Sequence, residues 1–260
     1  MNFKKIGKEN FVVKKIKAIR LGKENNSFVI EGSRILDITH EVDIEYIVFC
    51  ESVTKNENFL SEYSKLKNLE NLYLVKENIF KAITKTVTPQ GVLAVCKKNI
   101  YNLEDLEISK NVFILILHEI NDPGNMGTIL RCALSFGVDF VLVSKNSVNI
   151  YNDKVLRSSA GAIFDLKIVE NINTKEIIEY LTRNNIDIVA TTPYANDYHY
   201  NVNFKNSVGI VMGNEANGIP QDVMDICATK IKIPIIKMES LNVSIACGII
   251  LHEVIKQRIT

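Results

Sequence analysis

Short apolar runs separated by polar, helix-compatible stretches recur along the whole of this 260-residue chain. In the N-terminal part, residues 27–30 read as extended and 33–39 as helical, and β-rich runs follow at 45–50, 71–75 and 92–96. Polar stretches at 56–67 and 77–84 between them suit helices. Strands alternating with helices predict a small α/β domain over 1–98. Residues 99–110 are polar, with an acidic centre at Glu104, Asp105 and Glu107, and read as a linker to a second domain over 111–260.

That second domain repeats one grammar three times: an aliphatic strand, a loop bearing glycine or asparagine, then a helix. The first instance is the strand 112–117, the loop 118–125 and a helix over about 126–136. The second is the strand 208–212, the loop 213–220 and a helix from about Gln221. The third is the strand 230–236, the loop 237–242 and a helix over 243–258. Short continuous apolar strands are typical of parallel sheets covered on both faces. Ligands of open α/β sheets bind beyond the carboxyl ends of the strands, so the three loops are expected to converge on one site.

Composition is that of an ordinary globular protein, 47% hydrophobic and 23% charged, which excludes a disordered or fibrous chain. The formal charge is only +1, so an anionic partner must be met by local patches. Up to residue 110 there are 18 basic and 15 acidic side chains, leaving 13 and 15 for the remainder. The excess gathers in residues 1–23, where Lys4, Lys5, Lys8, Lys14, Lys15, Lys17, Arg20 and Lys23 face the single acid Glu9. The stretch reads either as a solvated helix face or as a phosphate-attracting arm. Only six of the 31 basic residues are arginine, among them Arg20, Arg34, Arg131 and Arg258, and lysine cannot replace the forked guanidinium at a bidentate site. Cys50, Cys96, Cys132, Cys227 and Cys247 lack metal-ligand or CxxC spacing, as expected of reduced thiols in a cytoplasmic protein without a metal site. The longest aliphatic run, 112–117, is too short to span a membrane.

The loops carry the candidate chemistry. Asn121-Asp122-Pro123-Gly124-Asn125-Met126-Gly127 offers glycines for close backbone approach, yet matches neither GxGxxG nor the P-loop. Arg131 follows about one turn into the expected helix, within reach of the loop. Glu215 is a lone carboxylate in Gly213-Asn214-Glu215-Ala216-Asn217-Gly218, either solvated or positioning an arginine or a substrate. In Glu239-Ser240-Leu241-Asn242, either Ser240 or Asn242 suits an N-cap. His118, at a strand end, is read as structural or capping. No serine–histidine–aspartate order, zinc spacing or paired carboxylates are present.

Taken in order, these loops resemble the three motifs of the SpoU family of the SPOUT superfamily, the S-adenosylmethionine-dependent RNA ribose 2′-O-methyltransferases. Asn121 to Arg131 with Cys132-Ala133 and Phe136-Gly137 resembles the first motif. Val211-Met212-Gly213-Asn214-Glu215-Ala216-Asn217-Gly218-Ile219 resembles the second. Ile233-Pro234 followed by Glu239-Ser240-Leu241-Asn242-Val243-Ser244-Ile245-Ala246 resembles the third. Arg157-Ser158-Ser159-Ala160-Gly161-Ala162-Ile163-Phe164 matches a further segment common in these enzymes. Phe28-Val29-Ile30-Glu31-Gly32 and Thr88-Pro89-Gln90-Gly91-Val92-Leu93-Ala94 resemble the substrate-binding domain of ribosomal-RNA members. This chain departs from the family in the short stretch Ile235-Ile236-Lys237-Met238, which lacks a glycine, and at Ala216, where glycine is usual.

The resemblance implies a parallel-sheet α/β catalytic domain with a trefoil knot, preceded by a small ribosomal-protein-like α/β domain. It implies a homodimer whose active sites are completed across the interface, acting on ribosomal RNA, 23S above all, with S-adenosylmethionine as cofactor. Gly213, Ile233 and Leu241, flanked by Met212 and Pro234, would line the cofactor pocket. Arg131 would clamp a phosphate or polarise the hydroxyl, with Asn125, Glu215, Ser240 and Asn242 positioning it, the ribose or the cofactor. RNA would meet Lys14, Lys15, Lys17, Arg20 and Arg34. The alternatives are an antibiotic-protective or RNA-binding protein of the same fold without catalysis, and a transfer-RNA ribose methyltransferase.

Overall fold

The computed structural model describes residues 2–32, 35, 42–56, 58–66, 70–108 and 110–260, except for the side chains at 60 and 65. The chain divides into two compact units, Met1–Asn99 and Ile100–Thr260.

The first unit runs β1 (Lys4–Lys5), α1 (Phe11–Arg20), β2 (Ser27–Glu31), β3 (Ile44–Cys50), α2 (Phe59–Glu62), β4 (Leu72–Val75), α3 (Glu77–Lys81) and β5 (Val92–Lys97). Its sheet has the order β1-β4-β3-β5-β2, with β4 parallel to β1 and β3, and β5 antiparallel to β3 and β2. The basic N-terminal stretch folds as α1. Asn10 caps it by accepting from the Val12 N–H at 3.0 Å, and Val12, Val13 and Ile16 bury a stripe against Val29, Val48, Leu93 and Val95. The helix expected over 33–39, and Arg34 with it, lies outside the described residues except for Ile35.

Glu31 organises the loop after α3. Its carboxylate accepts from the Thr84 hydroxyl (2.6 Å), the Lys85 N–H (2.8 Å), the Thr86 N–H and hydroxyl, and the Arg20 guanidinium. Burial alone would raise this carboxyl, but those donors and the Arg20 charge outweigh it and hold it below the ordinary value. This bonding ends the expected helix 77–84 at Lys81, because Thr84 and Thr86 turn toward Glu31 instead of continuing the coil.

The second unit runs β6 (Phe113–Leu117), α4 (Pro123–Ser135), β7 (Phe140–Ser144), α5 (Asp153–Ser158), α6 (Ala162–Asp165), β8 (Lys167–Ile172), α7 (Thr174–Arg183), β9 (Asp187–Thr191), β10 (Asp197–Tyr198), β11 (Val208–Met212), α8 (Gln221–Met224), β12 (Thr229–Lys232) and α9 (Val243–Ile259). Its seven strands are all parallel, in the order β10-β12-β9-β11-β6-β7-β8. The chain builds outward from β6 to β8, crosses to β9, and later inserts β11 between β9 and β6. The β6/β11 pair is therefore the switch point, where the loops leaving the strands diverge and open a crevice.

Three expectations shift here. The segment read as a linker is structural: Leu103 and Leu106 are buried in the second unit's core beside Val112, Ile177 and Leu181. Its charged residues face outward while two leucines turn in. The third strand stops at Lys232, not 236, since Pro234 has no N–H for a ladder. Helix α4 begins at Pro123, not Met126, because Asp122 caps it by accepting from the Asn125 N–H at 2.8 Å and proline suits the first helical position.

Candidate active site at the carboxyl ends of the sheet

The loops after β6, β11 and β12 meet through three side chains. Glu215 accepts from the backbone N–H of Asn121 (3.1 Å) and Asp122 (3.0 Å) and from the Asn125 amide (3.1 Å). Asn125 in turn accepts from the Asn242 amide at 3.0 Å. The side-chain oxygen of Asn242 caps α9 by accepting from the Ser244 N–H (2.9 Å) and hydroxyl (2.6 Å). One chain of bonds, Glu215–Asn125–Asn242, thus ties all three loops. Burial pushes the Glu215 carboxyl up, but the donors from Asn125, Asp122 and Asn121 outweigh it, leaving the group below its usual value and ionised at neutral pH.

The loop after β11 is held in a tight closed turn. Asn214 and Gly218 exchange backbone bonds at 3.0 and 2.9 Å. The Asn214 side chain accepts from the Ala216 and Asn217 N–H groups and donates to the Glu119 carbonyl at 2.7 Å. A Cβ at the buried Gly213 would stand 2.5 Å from the Gly218 carbonyl carbon and 2.7 Å from the Ile219 nitrogen, both backbone. Gly213→Ala is therefore expected to displace the loop and lower thermal stability by several degrees, which differential scanning calorimetry measures, because this backbone leaves the methyl no room.

Of the residues singled out in the sequence, Asn125, Glu215 and Asn242 are brought together. Asn242, not Ser240, caps α9, and Ser240 is exposed with no hydrogen bond among the described residues. Arg131 lies eight positions beyond Pro123, roughly 12 Å along the helix, so it is two turns from its own loop and not one. It is exposed, and among the described residues its guanidinium has no hydrogen-bond partner. Met212 is buried, its carbonyl taken by the His118 N–H at 2.9 Å. Ile233 is half-buried, Pro234 exposed, and Leu241 exposed. His118 is structural: it is buried, its Nδ1 stands 2.7 Å from the Thr174 hydroxyl, and burial lowers its pKa.

Thr191 is not visible as a site residue in the sequence. At the end of β9 its hydroxyl donates to the Val211 carbonyl at 2.8 Å and lies 3.7 Å from the Met212 sulfur, bracing the second loop from the other side. Only the strand order, which sets β9 beside β11, reveals it. The segment from Arg157 packs on α4: the Ser158 hydroxyl donates to the Pro123 carbonyl at 3.2 Å, occupying the space left by Gly127.

In the first unit, Lys15 binds both oxygens of Glu45 at 2.9 and 2.8 Å, and Arg20 pairs with Glu31. Lys14 pairs with Glu9 at 3.2 Å, and Lys17 is exposed. Among the described residues no helix is long and apolar enough to cross a membrane, and no group of His, Cys, Asp and Glu is arranged to hold a metal ion.

An all-parallel sheet with its loops cross-tied at the switch point defines an α/β ligand-binding unit. The SpoU rRNA methylase family model matches residues 112–252, and an MRM3-like substrate binding domain matches residues 10–94. The chain is 26% identical over 248 residues to a 23S rRNA (guanosine(2553)-2′-O)-methyltransferase of Bacillus subtilis, covering 94% of this chain and 96% of the relative. A crystal structure of an RNA 2′-O ribose methyltransferase superposes with a TM-score of 0.77 at 26% identity, covering 99% of this chain and all (100%) of that one. The SpoU methyltransferase AviRb from Streptomyces viridochromogenes, solved in complex with AdoMet, shares the fold with a TM-score of 0.84 at 20% identity, covering 97% and 99%. The chain belongs to the SpoU rRNA methylase family.

Proposed function

We infer that the second unit transfers a methyl group from S-adenosylmethionine to a ribose 2′-hydroxyl of 23S ribosomal RNA. The observation that carries this reading is the Glu215–Asn125–Asn242 bridge, which binds the three family motifs into one site at the switch point. The residues present fit the cofactor. The loop over 233–242 exposes the apolar side chains Ile236, Met238 and Leu241, and Asn242 at its end is tied through Asn125 to Glu215 in the loop that follows Gly213, an arrangement that suits an adenosyl group. Gly213, Ile233, Pro234 and Leu241 would hold it, with Met212 as the floor. When bound, S-adenosylmethionine supplies an electrophilic methyl on a sulfonium.

The chain's own residues then have to orient a ribose and ease the loss of its proton. A guanidinium stays protonated, so Arg131 acts as a clamp on the neighbouring phosphate or polarises the hydroxyl, the proton leaving late to solvent. Asn125, Glu215 and Asn242 fix the loops, and Ser240 offers a free hydroxyl to the ribose. The distance of Arg131 from its own loop suits a homodimer in which each arginine serves the partner's site. Exposed Leu134 and Ile245, on the mutually packed helices α4 and α9, offer apolar surface for that interface. The trefoil knot belongs to the same reading. Arg258 donates to the carbonyls of Phe204 (2.9 Å), Asn111 (2.8 Å) and Asn206 (2.7 Å), and Gln257 bonds Phe204 and Val202, ties that would keep a threaded C-terminus in place.

The first unit would hold the RNA, with Lys17 the available cation of α1, since Lys14, Lys15 and Arg20 are each paired with a carboxylate. A protein that modifies ribosomal RNA in this way would work in the cytoplasm. Isothermal titration of the full chain with S-adenosylmethionine tests the reading: saturable binding at one site per chain is expected, and no heat of binding contradicts it.

A further inference from the structure

A segment outside the three motifs borders the same end of the sheet. Residues 192–201 leave β9 at its carboxyl end, where the Thr192 N–H bonds the Ile231 carbonyl at 2.9 Å. They continue into β10, whose Tyr198 is in register with Lys232, the last residue of β12. The segment therefore stands beside the loop over 233–242.

It displays aromatic rings that the fold does not cover. Tyr194 is 89% exposed and Tyr200 49%. Tyr198 and Tyr200 lie face to face, 5.3 Å between centroids and 13° between planes. The Lys232 ammonium sits 5.2 Å from the Tyr198 ring. Buried Ala195 and His199 anchor the segment from beneath, with Tyr198 half-buried and Tyr194 and Tyr200 exposed. On β12, Lys230 shares the face of Lys232, whereas Asp197 alternates to the opposite face of β10 from Tyr198. Flat rings beside ammonium groups suit one chemistry well: an unpaired nucleobase stacked on the ring, with its phosphate near a lysine.

We propose that Tyr194, Tyr198 and Tyr200, backed by Lys232, form a stacking platform for an unpaired base of the RNA strand presented to the site. This rests on the proposed ribose methylation. A ribose inside a regular helix is hard to reach, and a stacked neighbour would keep the strand open next to the Glu215–Asn125–Asn242 bridge. The platform carries no part in cofactor binding.

The test uses the full chain and an oligouridine of about twelve nucleotides, within the site sizes usual for single-strand binding folds, alongside the same strand with abasic riboses. Tyr200→Ala and Tyr194→Ala are each expected to weaken oligouridine binding by about fivefold or more, and Tyr200→Trp to retain it. The abasic strand should bind the wild type and both alanine variants alike. Titration with S-adenosylmethionine should match wild type in every variant, which separates loss of the platform from loss of the fold or of the methyltransferase reading. Tyr194 is so exposed that its alanine variant still decides the matter if Tyr200→Ala fails to fold. Unchanged oligouridine affinity in the alanine variants overturns the proposal. So does an equal loss on the abasic strand, a wild type that does not bind RNA, or a change confined to oligomeric state in sedimentation.

Discussion

Replacing Arg131 by lysine is expected to lower methyl transfer by about a hundredfold or more while leaving S-adenosylmethionine affinity unchanged. The charge survives in that variant, so the loss isolates the fork: a lysine ammonium offers a point charge where a guanidinium holds two oxygens at once. Arg131 is exposed and its guanidinium has no hydrogen-bond partner among the described residues, so the substitution removes no internal support. Single-turnover rates with ribosomal RNA measure it. Near-normal turnover would remove the clamp from the mechanism. In the proposed homodimer, mixed pairs locate the site that the arginine serves. A wild-type chain paired with one bearing both Arg131→Lys and a disabled cofactor loop should lose activity if each arginine works in the partner's site. It should keep activity if the arginine works in its own.

Replacing Glu215 by glutamine is expected to cost about a hundredfold in kcat, because small misplacements of positioning groups are costly. The amide sets an N–H against donors from Asn121, Asp122 and Asn125, and the bridge to Asn242 loses its fixed end. The same carboxylate has a pH signature. Its folded pKa lies below the unfolded value of 4.5, so its stabilisation is complete above that value and is lost as the pH falls through the lowered one. Thermal melts across the acid range should therefore show a steeper decline for the wild type than for Glu215→Gln. Equal slopes would mean the carboxylate does not tie the loops.

Much of this arrangement is legible without the fold. The strand 208–212 and the loop after it follow from one apolar run ending at glycine, and motif order leads to the three residues that the structure joins. Helix starts are harder. Asp122 and Pro123 together carry the start of α4 three residues ahead of its first strongly apolar position, and Arg131 consequently moves a turn farther from its loop. The segment 99–110 misleads by composition, since two buried leucines decide its fate against a majority of polar neighbours. Thr191 and the tyrosines after β9 owe their place to strand order, which local periodicity does not encode. The scarcity of arginine is informative in a different sense. Arg20 and Arg258 brace the fold through Glu31 and four backbone carbonyls, so a retained arginine marks geometry rather than catalysis as such.

The basic residues of 1–23 gain a more definite meaning as well. As a helix, α1 turns its apolar stripe to the sheet, and three of its cations, Lys14, Lys15 and Arg20, are paired with Glu9, Glu45 and Glu31. What it can offer a phosphate is narrower than the sequence count suggests.

Whether this chain methylates one ribose of ribosomal RNA is decided by mapping 2′-O-methylation across ribosomal RNA from cells with and without the gene. One 23S position is expected to lose its methyl group without the gene and to regain it when purified protein and S-adenosylmethionine are supplied. A methylation map that stays unchanged, both in cells and with purified protein, would show that the Glu215–Asn125–Asn242 site does not act on ribosomal RNA.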